Sequence, residues 1–233
     1  MPEAILGKLL EWFPTMGIQQ GYGMTESASV LTFLTTDDHK VGGKRLRSAG
    51  RAVTGVELSI QDATGKHLPP GEVGEVCARA GNFMMGYWKK DDATKEAFRD
   101  GWYHTGDAGY LDDGGYLFLV DRVKDMIVTG GENVYSAEVE SAISTHPAVA
   151  QVAVIGIPHD TWGEQVHAIV VLRPGATATS EQIQEHCRAN IAGYKVPKSV
   201  EFRTEPLPLS GALKVLKREL REPFWKGRER RIN

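Results

Sequence analysis

Near Asp121 the punctuation of this sequence changes, and the two halves it creates call for different architectures. Between about Val53 and Val120 the apolar residues come in short runs, at 56–61, 75–80 and 116–120. Turn signals separate them: A-T-G at 63–65, P-P-G at 69–71 and D-D-G-G at 112–115. Short strands with this punctuation predict a small antiparallel sheet, barrel-like in form. After Asp121 the pattern is denser. Ser136 opens a predicted helix of about ten residues, a usual length. Val139 and Ile143 share one face of it, Ser136 is its N-cap, and its early acidic residues suit the helix dipole. Two dense apolar strands follow at 149–157 and 166–172, then a helix at 180–191, a strand at 199–203 and a last helix near 216–222. The fold class read from this is α+β: a small antiparallel β-barrel-like subdomain over 1–120, then a compact α+β domain over 126–233. The polar cluster D-R-V-K-D at 121–125 marks the boundary. At the start, Ile5, Leu9 and Trp12 recur at helical spacing, and Pro14 stops that pattern.

Composition narrows the function. Hydrophobic residues make up 41% and charged residues 24% of the 233 positions, which suits a packed core and excludes disordered or collagen-like chains. A net charge of −3 provides no global attraction for nucleic acid or an anionic membrane. The basic stretch after Lys214 is read as a solvated terminal helix. Cys77 and Cys187 have no C-x-x-C partner, which argues against a disulfide framework or a zinc site and suits a reducing, cytoplasmic location. The seven histidines are scattered without metal-ligand spacing, so no histidine metal site is expected. The longest apolar runs fall far short of the ~20 residues of a membrane span. Phe83, Tyr87 and Trp88 are read as core of the small sheet rather than as an acyl pocket.

Four stretches carry candidate chemistry. Q-G-Y-G-M-T-E at 20–26 combines close backbone approach with an aromatic, a hydroxyl and a carboxylate, suited to a base, a phosphate and a cation, or it is a loop with a capping threonine. In G-W-Y-H-T-G-D at 101–107 the aspartate can accept two hydrogen bonds from a ribose diol, or T-G-D is an Asx-turn. The segment 121–133 presents Arg122, a forked donor, and the pair Gly130 and Gly131, against the alternative of a surface charge cluster before a strand and turn. In 207–218, Lys214 follows a Ser-Gly turn and can be delivered as a mobile charge, or the stretch is simply a helix start.

In order and spacing these stretches resemble the adenylate-forming superfamily: acyl-CoA synthetases, peptide-synthetase adenylation domains and luciferases. The resemblance runs from about Gln20 to Asn233. It rests on Y-G-M-T-E at 22–26, G-E-V-G-E at 71–75 with G-Y-W at 86–88, Y-H-T-G-D at 103–107, Asp121-Arg122 with G-G-E-N at 130–133, and P-K at 197–198 followed by L-P and S-G at 207–211. The ending R-E-L-R-E-P-F-W at 218–225 is most similar to fatty-acyl-CoA synthetases. The resemblance implies activation of a carboxylate, a fatty acid or another hydrophobic acid, with MgATP to acyl-AMP, then transfer to CoA. Tyr22 would stack on adenine beside Gly23, Thr25 would contact phosphate, and Glu26 would hold Mg²⁺. Asp107 would bind the ribose with Arg122 beside it, Lys124 would be a hinge, Gly130 and Gly131 would line the pantetheine path, and Lys214 would bridge carboxylate and α-phosphate.

Two departures qualify this. The family's phosphate loop and most of its acyl pocket lie upstream of anything matched here, so the chain is expected to be the C-terminal part of a synthetase or a truncated reading frame, incomplete alone. Leu213 stands where relatives place glycine before the lysine, a strained choice if that residue has positive φ. An adenylation portion of a peptide synthetase and a non-catalytic nucleotide- or CoA-binding module are the alternatives. A separate N-terminal domain or a second copy of the chain is the expected protein partner. Nucleic acid is excluded as a partner, and peripheral membrane contact stays open.

Overall fold

The computed structural model describes residues 3–211 and 213–227; the basic residues beyond 227 lie outside that range. The chain divides into two compact units, Met1–Val120 and Asp121–Asn233. No helix among the described residues is long and apolar enough to cross a membrane.

The first unit runs α1 (Glu3–Trp12), β1 (Gln20–Met24), β2 (Ser29–Leu34), α2 (Thr36–Val41), β3 (Gly50–Ala52), β4 (Val56–Gln61), β5 (Gly74–Ala80), α3 (Asp91–Ala97), β6 (Phe98–Arg99), β7 (Trp102–Leu111) and β8 (Tyr116–Arg122). Its sheet has the order β1-β2-β3-β8-β7-β5-β4, with β6 on β7. The pairs β1–β2, β2–β3, β3–β8, β4–β5 and β5–β7 are antiparallel. The path does not close among the described strands, so the sheet is open and not barrel-like. Closure depends on strand number and shear, which short alternating runs do not specify. The β1–β2 hairpin extends the sheet at one edge, where the glycine-rich sequence carries little strand signal.

Ile60, Val76 and Leu117 form a core cluster here, with Tyr22, Leu58, Leu68 and Leu111 packed around it. Among the described side chains of α1, Leu6 is fully buried, Leu9 is half-buried and Trp12 is 66% exposed, so Trp12 takes no part in the buried face. The side chain of Ile5 lies outside the described ones. Trp88 is 86% exposed and is no core residue, whereas Phe83 stacks on Tyr103 with ring centres 4.6 Å apart. Asp38 ties α2 to the sheet. It caps through Thr35, whose N–H and hydroxyl donate to its carboxylate, and accepts the Tyr116 hydroxyl at 2.5 Å. Burial alone would raise its pKa. The Tyr116 and Thr35 hydrogen bonds and Arg45 outweigh that and hold it at about 2.

The second unit continues with β9 (Ile127–Thr129), β10 (Glu132–Val134), α4 (Ser136–Ser144), β11 (Val149–His159), β12 (Gly163–Leu172), α5 (Ser180–Arg188), β13 (Ser199–Arg203) and α6 (Lys217–Trp225). The sheet order is β10-β9-β12-β11, and β13 pairs parallel to β12 after the α5 crossover. Both faces are covered. Val154, Val166, Ala168 and Val170 pack with Val139 and Ile143 of α4 and Ile183 and Cys187 of α5. Ala153, Ile155, Ile157 and Ile169 pack with Leu220 of α6, with Phe224 alongside. Two buried faces explain why β11 and β12 read as continuous apolar runs rather than alternating ones. In α5 the cap is Thr179, whose hydroxyl accepts from Gln182 N. Tyr135 holds the N-cap position of α4, so Ser136 is the first helical residue rather than the cap.

Ile143 is fully buried, and Ile143→Ala is expected to cost about 2–5 kcal/mol in denaturant unfolding. The Asp38 contribution has a definite sign. Its folded pKa lies below the ordinary 3.8, so the stabilisation is complete above that pH and is lost as pH falls through about 2. The stability gap between the wild type and Asp38→Asn should therefore narrow over that interval in unfolding titrations run at stepped pH.

Candidate active site

The first candidate motif lies on a hairpin whose strands are out of step. Tyr22 faces Thr32 but Gly23 faces Val30, leaving Leu31 as an extra residue on β2. At the bulge the two backbones close up: a Cβ on Gly23 would stand 2.1 Å from the Ser29 carbonyl oxygen and 2.7 Å from Val30 Cα. The glycine of the motif is thus required by packing. Thr25 is exposed at the start of the turn that follows, and Glu26 is half-buried. The segment after β5 clamps this turn. Met84 N donates to the Glu26 carbonyl at 2.7 Å, Asn82 Nδ2 to the Ser27 carbonyl at 2.6 Å, and the Tyr87 hydroxyl to Glu26 Oε1 at 3.0 Å. The Tyr103 hydroxyl lies 3.4 Å from that of Tyr87. Burial pushes the Tyr103 phenol well above its ordinary pKa, helped by Tyr87 and the Glu26 and Asp107 charges, so it stays neutral.

The second motif sits in a larger irregularity. Glu75 of β5 pairs with Ala108 and Cys77 with His104, so residues 105–107 of β7 all stand opposite Val76. These residues form a bulge within a ten-residue strand rather than a free Asx-turn. Side chains take over the displaced backbone groups. The Thr105 hydroxyl donates to the Val76 carbonyl at 2.7 Å and accepts from Asp107 N at 3.1 Å, and Gly106 N donates to Glu75 Oε1 at 3.1 Å. Gly106 has φ +71°, a conformation glycine adopts without cost. Asp107 is half-buried, and its Oδ2 accepts the Tyr22 hydroxyl at 2.8 Å. The residues assigned to adenine and ribose, 85 positions apart, are joined directly.

Beside the bulge is a cluster that residue spacing had not flagged. His104 Nδ1 lies 2.8 Å from Glu75 Oε2, 2.8 Å from Arg99 Nη2 and 3.4 Å from Cys77 Sγ. Glu75, Cys77 and His104 could in principle hold a cation together. Arg99 already supplies the positive charge at that nitrogen, and burial with the Glu75 charge pushes the Cys77 thiol up to about 12. The group is therefore an internal ion pair next to a protonated thiol. Only interleaved β5–β7 pairing brings it together, which no local motif encodes.

The other candidates lie on the second unit. Arg122 and Lys124 are exposed, at and just after the end of β8. Their segment is strapped down. Asp121 Oδ2 accepts the Ser136 hydroxyl at 2.6 Å and Ala137 N at 3.1 Å, placing a carboxylate at the N-terminus of α4 where the dipole favours it. Lys217 donates to Ser136 at 2.7 Å and pairs with Glu140 at 2.6 Å, while Glu140 accepts Val154 N at 2.8 Å. Burial raises the Glu140 pKa against the opposing pull of Lys217. Arg221 donates to the Lys124 carbonyl at 3.1 Å and to Asp125 at 3.2 Å. Gly130 and Gly131, at φ +60° and +88°, form the two-residue turn between β9 and β10, a connection that needs positive φ at its centre. Gly130 N donates to the Trp162 carbonyl at 3.0 Å. Lys214 is exposed in a tight loop, its N–H donating to Ser210 Oγ at 3.2 Å and its carbonyl accepting Ser210 N at 2.8 Å. Leu213 does have positive φ, +58°.

Residues 138–214 match the family described as AMP-binding enzyme, C-terminal domain, and residues 1–88 match the AMP-binding enzyme family. The chain belongs to the adenylate-forming enzymes. It is 42% identical over 214 residues to the fatty acid–[acyl-carrier-protein] ligase ScoC of Streptomyces coeruleorubidus, covering 92% of this chain and 41% of that protein. It is 42% identical to the medium/long-chain-fatty-acid–CoA ligase FadD8 of Mycobacterium tuberculosis, covering 91% and 38%. The structure of the o-succinylbenzoate CoA synthetase MenE of Bacillus subtilis, in complex with its acyl-adenylate intermediate OSB-AMP, superposes with a TM-score of 0.84 at 34% identity, covering 94% of this chain and 43% of that one. This adenylate-forming chain thus spans about two fifths of the length of such relatives.

Substitutions at two positions test the local geometry. Gly23→Ala is expected to destabilise by about 1–3 kcal/mol, the usual range for forced overpacking, in denaturant unfolding. At exposed Leu213, relief of the left-handed backbone and the entropy of glycine roughly cancel, so Leu213→Gly should hold or raise the thermal midpoint. Leu213→Val, β-branched at the same φ, should lower it.

Proposed function

We propose that this chain serves the ATP-dependent activation of a carboxylate, with a fatty acid as the acyl group, to acyl-AMP and its transfer to CoA. The observation that carries the reading is the Tyr22–Asp107 hydrogen bond, with Asp107 aimed by the bulge at residues 105–107. An aromatic ring hydrogen-bonded to a carboxylate suits adenosine: the ring offers a face to the base, and the carboxylate can accept from both ribose hydroxyls. The names of the fatty-acid ligases among the relatives support the acyl group proposed.

In this reading the carboxylate oxygen of the substrate attacks the α-phosphorus, the bond to the β-phosphate oxygen breaks, and pyrophosphate leaves. The thiol sulfur of CoA then attacks the acyl carbonyl, AMP departs, and the thiol proton goes to solvent. Tyr22, beside Gly23, and Asp107 orient the nucleoside, with Arg122 assigned to the ribose as well. Thr25 and Glu26 offer a hydroxyl and a carboxylate on one turn, a hard oxygen donor set of the kind Mg²⁺ takes. A bound Mg²⁺ supplies charge neutralisation at the phosphates. Glu26 is held for this by Tyr87, whose hydroxyl leaves the second carboxylate oxygen outside that bond. Lys214 brings a mobile positive charge to the α-phosphate, and Gly130 and Gly131 give the pantetheine arm a turn without side chains. Segment 121–125 acts as the hinge, Lys124 as its pivot, and 126–233 as the moving domain, with Asp121 and Arg221 strapping that segment to the second unit.

Calorimetry with AMP tests the nucleoside site. Asp107→Ala should weaken binding about tenfold or more, since hydrogen bonds to a charged group are worth about 1.5–3 kcal/mol, and unchanged affinity would overturn the assignment. Joined to the upstream part of a relative, Lys214→Ala should cut pyrophosphate release by about 10²–10³ while sparing thioester formation from preformed acyl-AMP. Equal losses in both half-reactions would remove Lys214 from its role. Limited proteolysis that leaves 121–125 uncut while cutting elsewhere would count against the hinge.

A further inference from the structure

We propose that Glu75 is a positioning residue for nucleotide binding, setting the direction of the Asp107 carboxylate through the backbone of the bulge. The inference rests on the reading of Asp107 as the ribose-binding residue. Three residues of β7 opposite a single residue of β5 cannot all join that ladder, so on the β5 side the conformation of 105–107 depends on what replaces the lost backbone bonds. Two side chains do so. Thr105, from within the bulge, holds the Val76 carbonyl and Asp107 N. Glu75, from the facing strand, accepts the Gly106 N–H. Gly106 at φ +71° has nothing within 4 Å of where a Cβ would stand, so no side-chain packing on that side opposes the pull of this hydrogen bond.

Glu75 is itself fixed. Its second oxygen is 2.8 Å from His104 Nδ1 and 3.4 Å from Arg99 Nη2, and its side chain is largely buried. One carboxylate therefore spans from an ion pair on one side to the Gly106 peptide on the other. Glu75 thus holds the Thr105–Gly106 peptide and Thr105 holds Asp107 N, the two sides of the Gly106 bend that leads into Asp107, whose carboxylate meets the Tyr22 hydroxyl. Glu75 touches neither nucleotide nor reacting atoms in this arrangement. It acts through Gly106.

The experiment separates positioning from a general structural role by using two ligands. AMP and 2′,3′-dideoxy-AMP differ only in the hydroxyls assigned to Asp107. Affinities of the full chain for both are measured by calorimetry, with circular dichroism as a check on folding. The wild type should favour AMP by about tenfold or more. In Glu75→Met, which keeps side-chain length without an acceptor, that preference should fall to about threefold or less, with dideoxy-AMP affinity changed by less than about twofold. Glu75→Gln, whose amide oxygen can still accept Gly106 N, should keep the preference. Should Glu75→Met fail to fold, Thr105→Val removes the other tie and is expected to erase the preference in the same way. Equal weakening of both ligands, or an unchanged preference, would overturn the positioning role while leaving Asp107 in place. A wild type without preference would instead sink the Asp107 reading, and the Glu75 inference with it.

Discussion

Backbone groups that leave a β-ladder must find other partners, and the candidate nucleotide site is built where two ladders give way. At the β1–β2 bulge the strands approach so closely that only glycine fits at Gly23, and the turn beyond presents Thr25 and Glu26. At the β5–β7 bulge, Thr105 and Glu75 take over the hydrogen bonds of residues 105–107. A regular strand would send alternate side chains to alternate faces. The bulges break that alternation and bring Tyr22 and Asp107 to 2.8 Å of one another. The aromatic group of Phe83, Phe98 and Tyr103, with the Tyr87 hydroxyl on Glu26, then fixes the same turn from the side.

The second unit solves a different problem. A sheet with helices on both faces can be held by apolar burial alone, and its two core clusters do that. One of its polar networks joins Asp121, Ser136, Glu140 and Lys217, and beside it in sequence Arg221 grips the Lys124 backbone and Asp125. The segment proposed as a hinge is thereby tied to the second unit at both of its ends, Asp121 and Asp125. At Leu213, beside Lys214, residue type and backbone disagree, and its exposure is what lets the disagreement stand.

Much of the second unit was legible because local signals agree there with the global fold. The strand at 199–203 is where the pattern put it, and β11 and β12 read as dense apolar runs because both faces are buried. The helix cap at Ser136 was misread because a serine before an acidic stretch has the composition of an N-cap, while its hydroxyl is in fact committed to Asp121 fifteen residues away. In the first unit β4 was plain, but β1 and β7 were not. Their glycines and polar residues weaken the strand pattern at the positions where the bulges occur. Aromatic character alone reads Trp88 as core, but it says nothing about the direction in which a loop points the ring, and Trp88 is exposed.

The sequence by itself determined the family, since ordered motifs over most of the chain survive without any knowledge of contacts, and it determined the elements whose hydrophobic period is clean. It also named Tyr22, Glu26, Asp107 and Lys214, because each sits in a contiguous motif. Only the tertiary structure decided that the first sheet is open, that Tyr22 bonds Asp107, and that Glu75 joins His104 and Arg99 to the Gly106 N–H. Strand pairing is the physical reason. A bulge depends on the register of two strands some thirty residues apart, and a shift of one residue would turn Glu75 to the opposite face. No local pattern of residue types records that register.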